Sequence, residues 1–158
     1  MANDINEKEI TVFVDALIHY FVQITGEKAD VRTAFLGDGE ALPAPHEFTG
    51  MIKVSGGYHG FIYFSADRVL LSRLLLILQE PHHTDEQMLD AVGEIANTLA
   101  GNVRRHFGEQ MEVSVPSTIQ HAKSEQFQNM VRSHPYVVTM KWKQYDACVI
   151  VDIVRTAK

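Results

Sequence analysis

The longest periodic stretch of the chain runs from Asp85 to about Phe107, and it dictates what must lie beneath it. Met88, Val92, Ile95, Leu99 and Val103 recur at intervals of three and four residues. At about 100° per residue they form one stripe of a helix, and a stripe of that kind is stable only when pressed against another layer. The ends of the helix are also written in the sequence. Thr84-Asp85-Glu86-Gln87 reads as a capping box, Arg104, Arg105 and His106 suit the negative end of the helix dipole, and Gly108 is a stop signal.

The partner layer is predicted to be a sheet. Phe48 to Val54 and Tyr58 to Phe64 flank Ser55-Gly56-Gly57, which punctuates a hairpin, and Pro135 to Trp142 and Ala147 to Val154 flank Lys143-Gln144-Tyr145-Asp146 as a second. Asp30 to Leu36, Met111 to Val115 and a segment through Ile119 are further strands. Gly37 to Pro45 is a loop and Lys123 to Ser133 a polar connection. Ile10, Phe13, Leu17, Tyr20 and Phe21 recur at helical spacing and Gly26 closes that first helix. A second helix capped by Ser65 or Asp67 runs to about Gln79, before Pro81-His82-His83. Helix, strands, two helices, strands is not the alternation of a doubly wound parallel sheet, so the fold class is α+β, helices layered on a largely antiparallel sheet.

At 158 residues the chain is expected to be a single domain spanning 1–158. Its 14 Lys plus Arg against 20 Asp plus Glu give a net charge of -6, which argues against a nucleic-acid partner, since such binding needs a basic surface. The acidic N-terminus is unlike a secretory signal, and no apolar run is long enough to span a membrane. One cysteine, Cys148, sits among Val149, Ile150 and Val151. It fits a reducing cytosol, as a core residue or a reactive thiol, so a cytoplasmic location is expected.

Opposite the apolar stripe of the long helix stand Asp90, Glu94, Asn97 and Gly101, within a sector of about 60°. Gly93 and Gly101 lie one turn before and one turn after Asn97, and each costs a helix interior about 1 kcal/mol relative to alanine. Either the missing side chains leave Asn97 open to a partner's backbone or phosphate, or another part of the same domain packs tightly on the glycines.

The run Asp90-Ala91-Val92-Gly93-Glu94-Ile95-Ala96-Asn97-Thr98-Leu99-Ala100-Gly101-Asn102, followed by Ser114-Val115-Pro116-Ser117, resembles the signature of the CheC/CheX/FliY chemotaxis phosphatases. That signature has a glutamate and an asparagine with two residues between, an acid or serine four before and a later proline. The hairpin from Phe48 to Ser65 is also similar to the one that precedes the motif in CheX proteins. The interval from Asn97 to Pro116 is shorter than the family's. CheC proteins carry two copies of the motif, whereas here a match through Asp15 would meet His19 and Val22, so the resemblance is to the one-site CheX form with a CheC-like two-layer fold.

The resemblance implies a phosphatase acting on the aspartyl phosphate of a CheY-like response-regulator receiver domain, in chemotaxis or a related two-component pathway. It implies catalytic roles for Glu94 and Asn97 and partner contacts at Asp90, Gly93 and Gly101. It also implies Mg2+ carried by the receiver, with no metal or cofactor on this chain, and a homodimer. Asn97 would orient the attacking water and Glu94 would pair with the receiver's active-site lysine. The competing expectation is a non-catalytic module of the same fold that binds a receiver or another signalling or flagellar protein.

Elsewhere the residues point to structure. His82-His83 lacks a spaced third ligand and reads as a capped turn, with a metal site the alternative. Arg104-Arg105-His106 is explained by the helix dipole, with phosphate binding the alternative. Gly56-Gly57 does not open a helix and is no nucleotide loop. Ser117 has no identifiable base, and Trp142, Tyr136 and Tyr145 read as sheet packing.

Overall fold

A computed structural model describes residues 5–36, 45–122 and 135–156. The predicted loop up to Pro45 and the polar segment from Lys123 fall largely or wholly outside these. The described elements run α1 (Glu7–Thr25), β1 (Asp30–Leu36), β2 (Phe48–Gly56), β3 (Tyr58–Ala66), α2 (Arg68–Ile77), α3 (Asp85–Phe107), β4 (Met111–Val113), β5 (Ser117–Gln120), β6 (Tyr136–Trp142) and β7 (Tyr145–Arg155). The strands form a seven-stranded antiparallel sheet in the order β1-β6-β7-β3-β2-β4, with β5 also paired to β2. This is the α+β arrangement that the strand pairs led us to expect.

Alternation along the strands divides the sheet into two faces. Phe48, Ile52 and Val54 of β2, Ile62 and Phe64 of β3 and Val149, Val151 and Ile153 of β7 bury against the helices in one continuous core. That core takes in Phe13, Leu17 and Phe21 of α1, Leu70, Leu71 and Leu74 of α2, and Val92, Ile95, Leu99 and Val103 of α3. On the other face Tyr63, Val137 and Ile150 form a smaller cluster flanked by Met51, Phe61 and Ala122. Cys148 is buried, and burial pushes its thiol up to about 12, so it is a core residue and not a reactive one.

Local chemistry starts and stops the helices. Asn6 and Glu9 form a reciprocal capping box at α1, a signal that lies upstream of its apolar periodicity. Asp67 occupies the α2 N-cap but makes no cap hydrogen bond there; its carboxylate accepts from Glu47 N at 3.2 Å and meets His46 Nδ1 at 3.1 Å, so it fastens the start of β2 instead. Thr84 Oγ1 accepts from Gln87 N at 3.3 Å, and the Gln87 side chain contacts that same hydroxyl, so one half of the expected capping box is formed. His83 bridges the α2–α3 turn: Nε2 lies 3.0 Å from Glu80 O and Nδ1 2.9 Å from Ser72 Oγ. Both ring nitrogens are engaged within the chain, which makes His83 a turn fastener.

The height of α3 above the sheet is set at Gly50. A Cβ there would lie 2.4 Å from the Val92 carbonyl oxygen and 3.2 Å from Ala96 Cβ. Helix backbone and strand backbone touch, and no side chain fits between them. Gly50→Ala is therefore expected to destabilise the fold by about 1–3 kcal/mol through overpacking, measured as a lower urea midpoint at unchanged slope. Gly101→Ala, where an added Cβ meets nothing within 4 Å, is expected to be neutral or stabilising.

Candidate functional site

The side of α3 that faces away from the sheet carries its exposed polar groups. With Val92, Ile95, Ala96 and Leu99 buried, Asp90, Glu94 and Asn97 are left exposed on successive turns. Glu94 and Asn97 are one turn apart on a backbone held by the core, so their separation is fixed by helix geometry and not by loop conformation. Thr98 Oγ1 donates to Glu94 Oε1 over a long 3.4 Å, and no cation among the described residues forms an ion pair with Glu94 or Asp90. A carboxylate and a carboxamide are thus presented together with hydrogen-bonding capacity to spare.

The two glycines behave differently. Gly101 is open, with nothing within 4 Å of where its Cβ would stand. Gly93 is buried: a Cβ would lie 2.9 Å from Thr118 Cγ2 and 3.6 Å from Pro116 Cβ. So the domain's own β5 and the Pro116 turn pack on Gly93, and only Gly101 leaves space on the outer face. Of the two explanations open for the glycines, each holds for one of them. Pro116 presses on α3 one turn before Asn97, which gives that proline of the motif a structural role.

A groove of about 260 Å³ adjoins Glu94 between α1, α2 and α3, lined by Tyr20, Leu74, Leu75, Leu78, Asp90 and Glu94 among others. Burial first, and the negative charge of Glu94 second, push the Tyr20 phenol up to about 12, so it remains a neutral hydroxyl beside the carboxylate at any working pH. In the sequence, Tyr20 reads only as a member of the α1 apolar stripe. Its position beside Glu94 is a consequence of how three helices pack, which periodicity does not report.

A model of the family described as chemotaxis phosphatase CheX matches residues 48–141, more than half of the chain and all of α3. The chain belongs to the CheX family. No curated protein sequence matches it. Among solved structures, the chemotaxis protein CheX from Vibrio vulnificus superposes with a TM-score of 0.74 at 15% identity, covering 92% of this chain and 99% of that one. A CheC-like superfamily protein from Shewanella sp. PV-4 gives 0.77 at 17% identity, covering 97% and 100%. A CheX–CheY complex with beryllofluoride and Mg2+ from Borrelia burgdorferi gives 0.71 at 16% identity, covering 92% and 97%. At such identities the likeness to these structures is one of fold.

Other sequence candidates in this CheX-family chain resolve into structural parts. Arg104 Nε donates to Met111 O at 2.8 Å, tying the end of α3 to β4, which accounts for it without a phosphate. Among the described residues no group of three or more His, Cys, Asp or Glu side chains is placed to hold a metal ion. No described helix is long and apolar enough to cross a membrane. Trp142 is fully buried, with Phe21 at 5.7 Å between ring centroids, as a packing role requires. In α1, Asp15 and His19 are exposed and Val22 is 43% exposed.

The start of α3 is held by charge. Arg68 Nη2 contacts Glu47 Oε2 at 2.7 Å and Asp85 Oδ1 at 2.6 Å, while Gln120 Nε2 donates to Asp85 Oδ2 at 3.1 Å. The hydrogen bond from Arg68, then that from Gln120, hold the Asp85 carboxyl below its ordinary value of 3.8. The folded chain therefore binds that proton less readily than the unfolded chain. The stabilisation is present above the ordinary pKa and is lost as pH falls through the lowered one. Asp85→Asn is expected to lower Tm at pH values above the ordinary carboxylate range, and the difference is expected to shrink steadily as the pH is taken below it, in thermal melts over a pH series. A constant gap between the two curves would show that the Arg68 contact contributes nothing through charge.

Proposed function

We propose that this CheX-family chain is a phosphatase that hydrolyses the aspartyl phosphate of a CheY-like receiver domain. The observation that carries this is the exposed Glu94–Asn97 pair on a helix whose other side is core. Membership of the family, and the CheX–CheY complex known for a structural relative, support the choice of partner.

In this mechanism the receiver brings the phosphoaspartate and its Mg2+, and this chain brings no metal. The Asn97 carboxamide oxygen accepts a hydrogen bond from a water held in line with the scissile bond, while its NH2 donates toward a phosphoryl oxygen. The water oxygen forms the new P–O bond, the bond from phosphorus to the aspartyl oxygen breaks, the water's two protons go with the inorganic phosphate that leaves, and the free aspartate carboxylate remains on the receiver. Phosphoryl transfer asks mainly for positioning and charge compensation, so no covalent nucleophile is needed. Glu94 pairs with the receiver's active-site lysine and sets the docking register, and Asp90 and the open surface at Gly101 border the contact. The chain works in the cytoplasm, as a homodimer, on a chemotaxis or related two-component regulator.

Asn97→Ala is expected to lower kcat by about 10²–10³-fold, by analogy with the loss of one positioned transition-state donor, with Tm unchanged. Glu94→Ala is expected to act mainly on KM. Both are read as release of inorganic phosphate from receiver domains phosphorylated with acetyl phosphate. An Asn97→Ala protein as active as the parent, or a parent that binds receivers without accelerating phosphate release, would overturn the enzymatic reading; the latter is the behaviour of a non-catalytic module.

A further inference from the structure

The groove beside Glu94 has a composition that the chemistry at Asn97 does not require. Its floor is apolar, built from Tyr20 and Leu75, each 6% exposed, with the fully buried Leu74 behind them and the half-buried Ala91 of α3 beside them. Leu78, the C-cap of α2, forms one lip and is 50% exposed, and Leu76 and Ile77 just before it are 59% and 41% exposed. The rest of the rim is acidic: Glu80, two residues beyond Leu78, and Asp90 and Glu94 of α3 line the groove, and no basic side chain does. None of these three carboxylates forms an ion pair among the described residues.

We propose that this groove takes an apolar side chain of the docked receiver, flanked on the receiver by a basic residue, and that Leu78, Tyr20 and Ala91 thereby determine which receivers are accepted. The inference rests on the receiver-phosphatase reading above and adds a second contact to it. Three observations carry it. Exposed apolar residues gathered at the end of one helix beside a cleft mark an interaction surface. An apolar floor within an acidic rim selects a partner surface that is apolar and basic together, since carboxylates left unpaired by their own chain favour cationic neighbours. Continuity fixes the occupant: Asp90 and Glu94 belong both to the groove wall and to the outer face of α3. They lie seven and three residues from Asn97, about 10.5 and 4.5 Å along the helix axis. A receiver that sets its phosphoryl group over Asn97 must cover the groove as well. A second copy of this chain seated there would cover Glu94 and exclude the receiver.

The test is a comparison of Leu78→Glu, Leu78→Met and Val69→Ser on a panel of CheY-type receivers phosphorylated with acetyl phosphate. Val69 is an exposed apolar residue at the start of α2, outside the groove. For Leu78→Glu we expect KM to rise at least tenfold with kcat altered less than twofold, and a matching loss of affinity for the beryllofluoride-loaded receiver. Leu78→Met and Val69→Ser are expected to match the parent. Should Leu78→Glu fail to fold, Ala91→Gln, which fills the groove from α3, is expected to give the same split. An unchanged KM in a folded groove variant overturns the proposal. So does a groove variant whose free form drops from dimer to monomer in light scattering, because a second copy is then the occupant. Asn97→Ala run in parallel separates the two levels: if it is inactive while the groove variants match the parent, the catalytic reading stands and the docking groove falls.

Discussion

Backbone contact between α3 and β2 at Gly50 is the constraint on which the rest depends. A helix normally stands off a sheet by the length of the side chains between them. Here the Val92 carbonyl would be 2.4 Å from any Cβ at position 50, so the spacing is as short as two backbones allow. The same helix is wedged from the side, where Gly93 admits Thr118 and Pro116 of the β4–β5 edge. With height fixed at Gly50 and lateral position fixed at Gly93, rotation is the remaining freedom, and the stripe from Met88 to Val103 removes it by being wholly buried. Glu94 and Asn97 are therefore oriented by contacts on the other side of the helix, and neither needs a hydrogen bond to hold its direction.

That arrangement explains why the outward face tolerates uncompensated charge. Each end of α3 is pinned by an arginine: Arg68 at Asp85, and Arg104 on the Met111 carbonyl. Neither cation is spent on Asp90 or Glu94, which stay on the solvated face in the middle of the helix. Acidic side chains in the first turn and basic ones in the last suit the helix dipole, whereas the carboxylates in the middle gain nothing from it. Their best partners are cations brought from outside. A surface of this kind favours fast, salt-sensitive association more than tight binding, as the proposed turnover on a receiver requires.

Much of the fold was legible because the strongest elements are locally consistent. The Asp85–Phe107 limits of α3 followed from Thr84, the Met88–Val103 stripe and Gly108, and both hairpins followed from apolar runs around Gly56-Gly57 and around Lys143 to Asp146. The outward placement of Glu94 and Asn97 followed from the same stripe. What escaped was tertiary. The start of α1 is set by an Asn6–Glu9 capping box ahead of the apolar pattern. Asp67 is recruited by Glu47 and His46, partners about twenty residues away in sequence. Gly93 and Gly101 look equivalent in the sequence, and only the position of β5 separates a packing glycine from an open one. The groove lining brings together Tyr20, Leu78 and Glu94 from three helices, and no periodicity within one helix contains that information.

The comparison of α1 with α3 shows how little chemistry separates a site from a helix face. Both lie on the same side of the sheet, and the spacing that places Asp90, Glu94 and Asn97 on α3 places Asp15, His19 and Val22 on α1. Asp15 and His19 are exposed and line a separate groove with Lys8, Asn102 and His106. Val22 has no group with which to hold a water, and an imidazole is a poor substitute for a carboxylate facing a lysine, because protonation would make the pair repel. The backbone could carry the same triplet in either helix. What confines the candidate chemistry to α3 is the identity of two side chains and the tight glycine seat that fixes their direction.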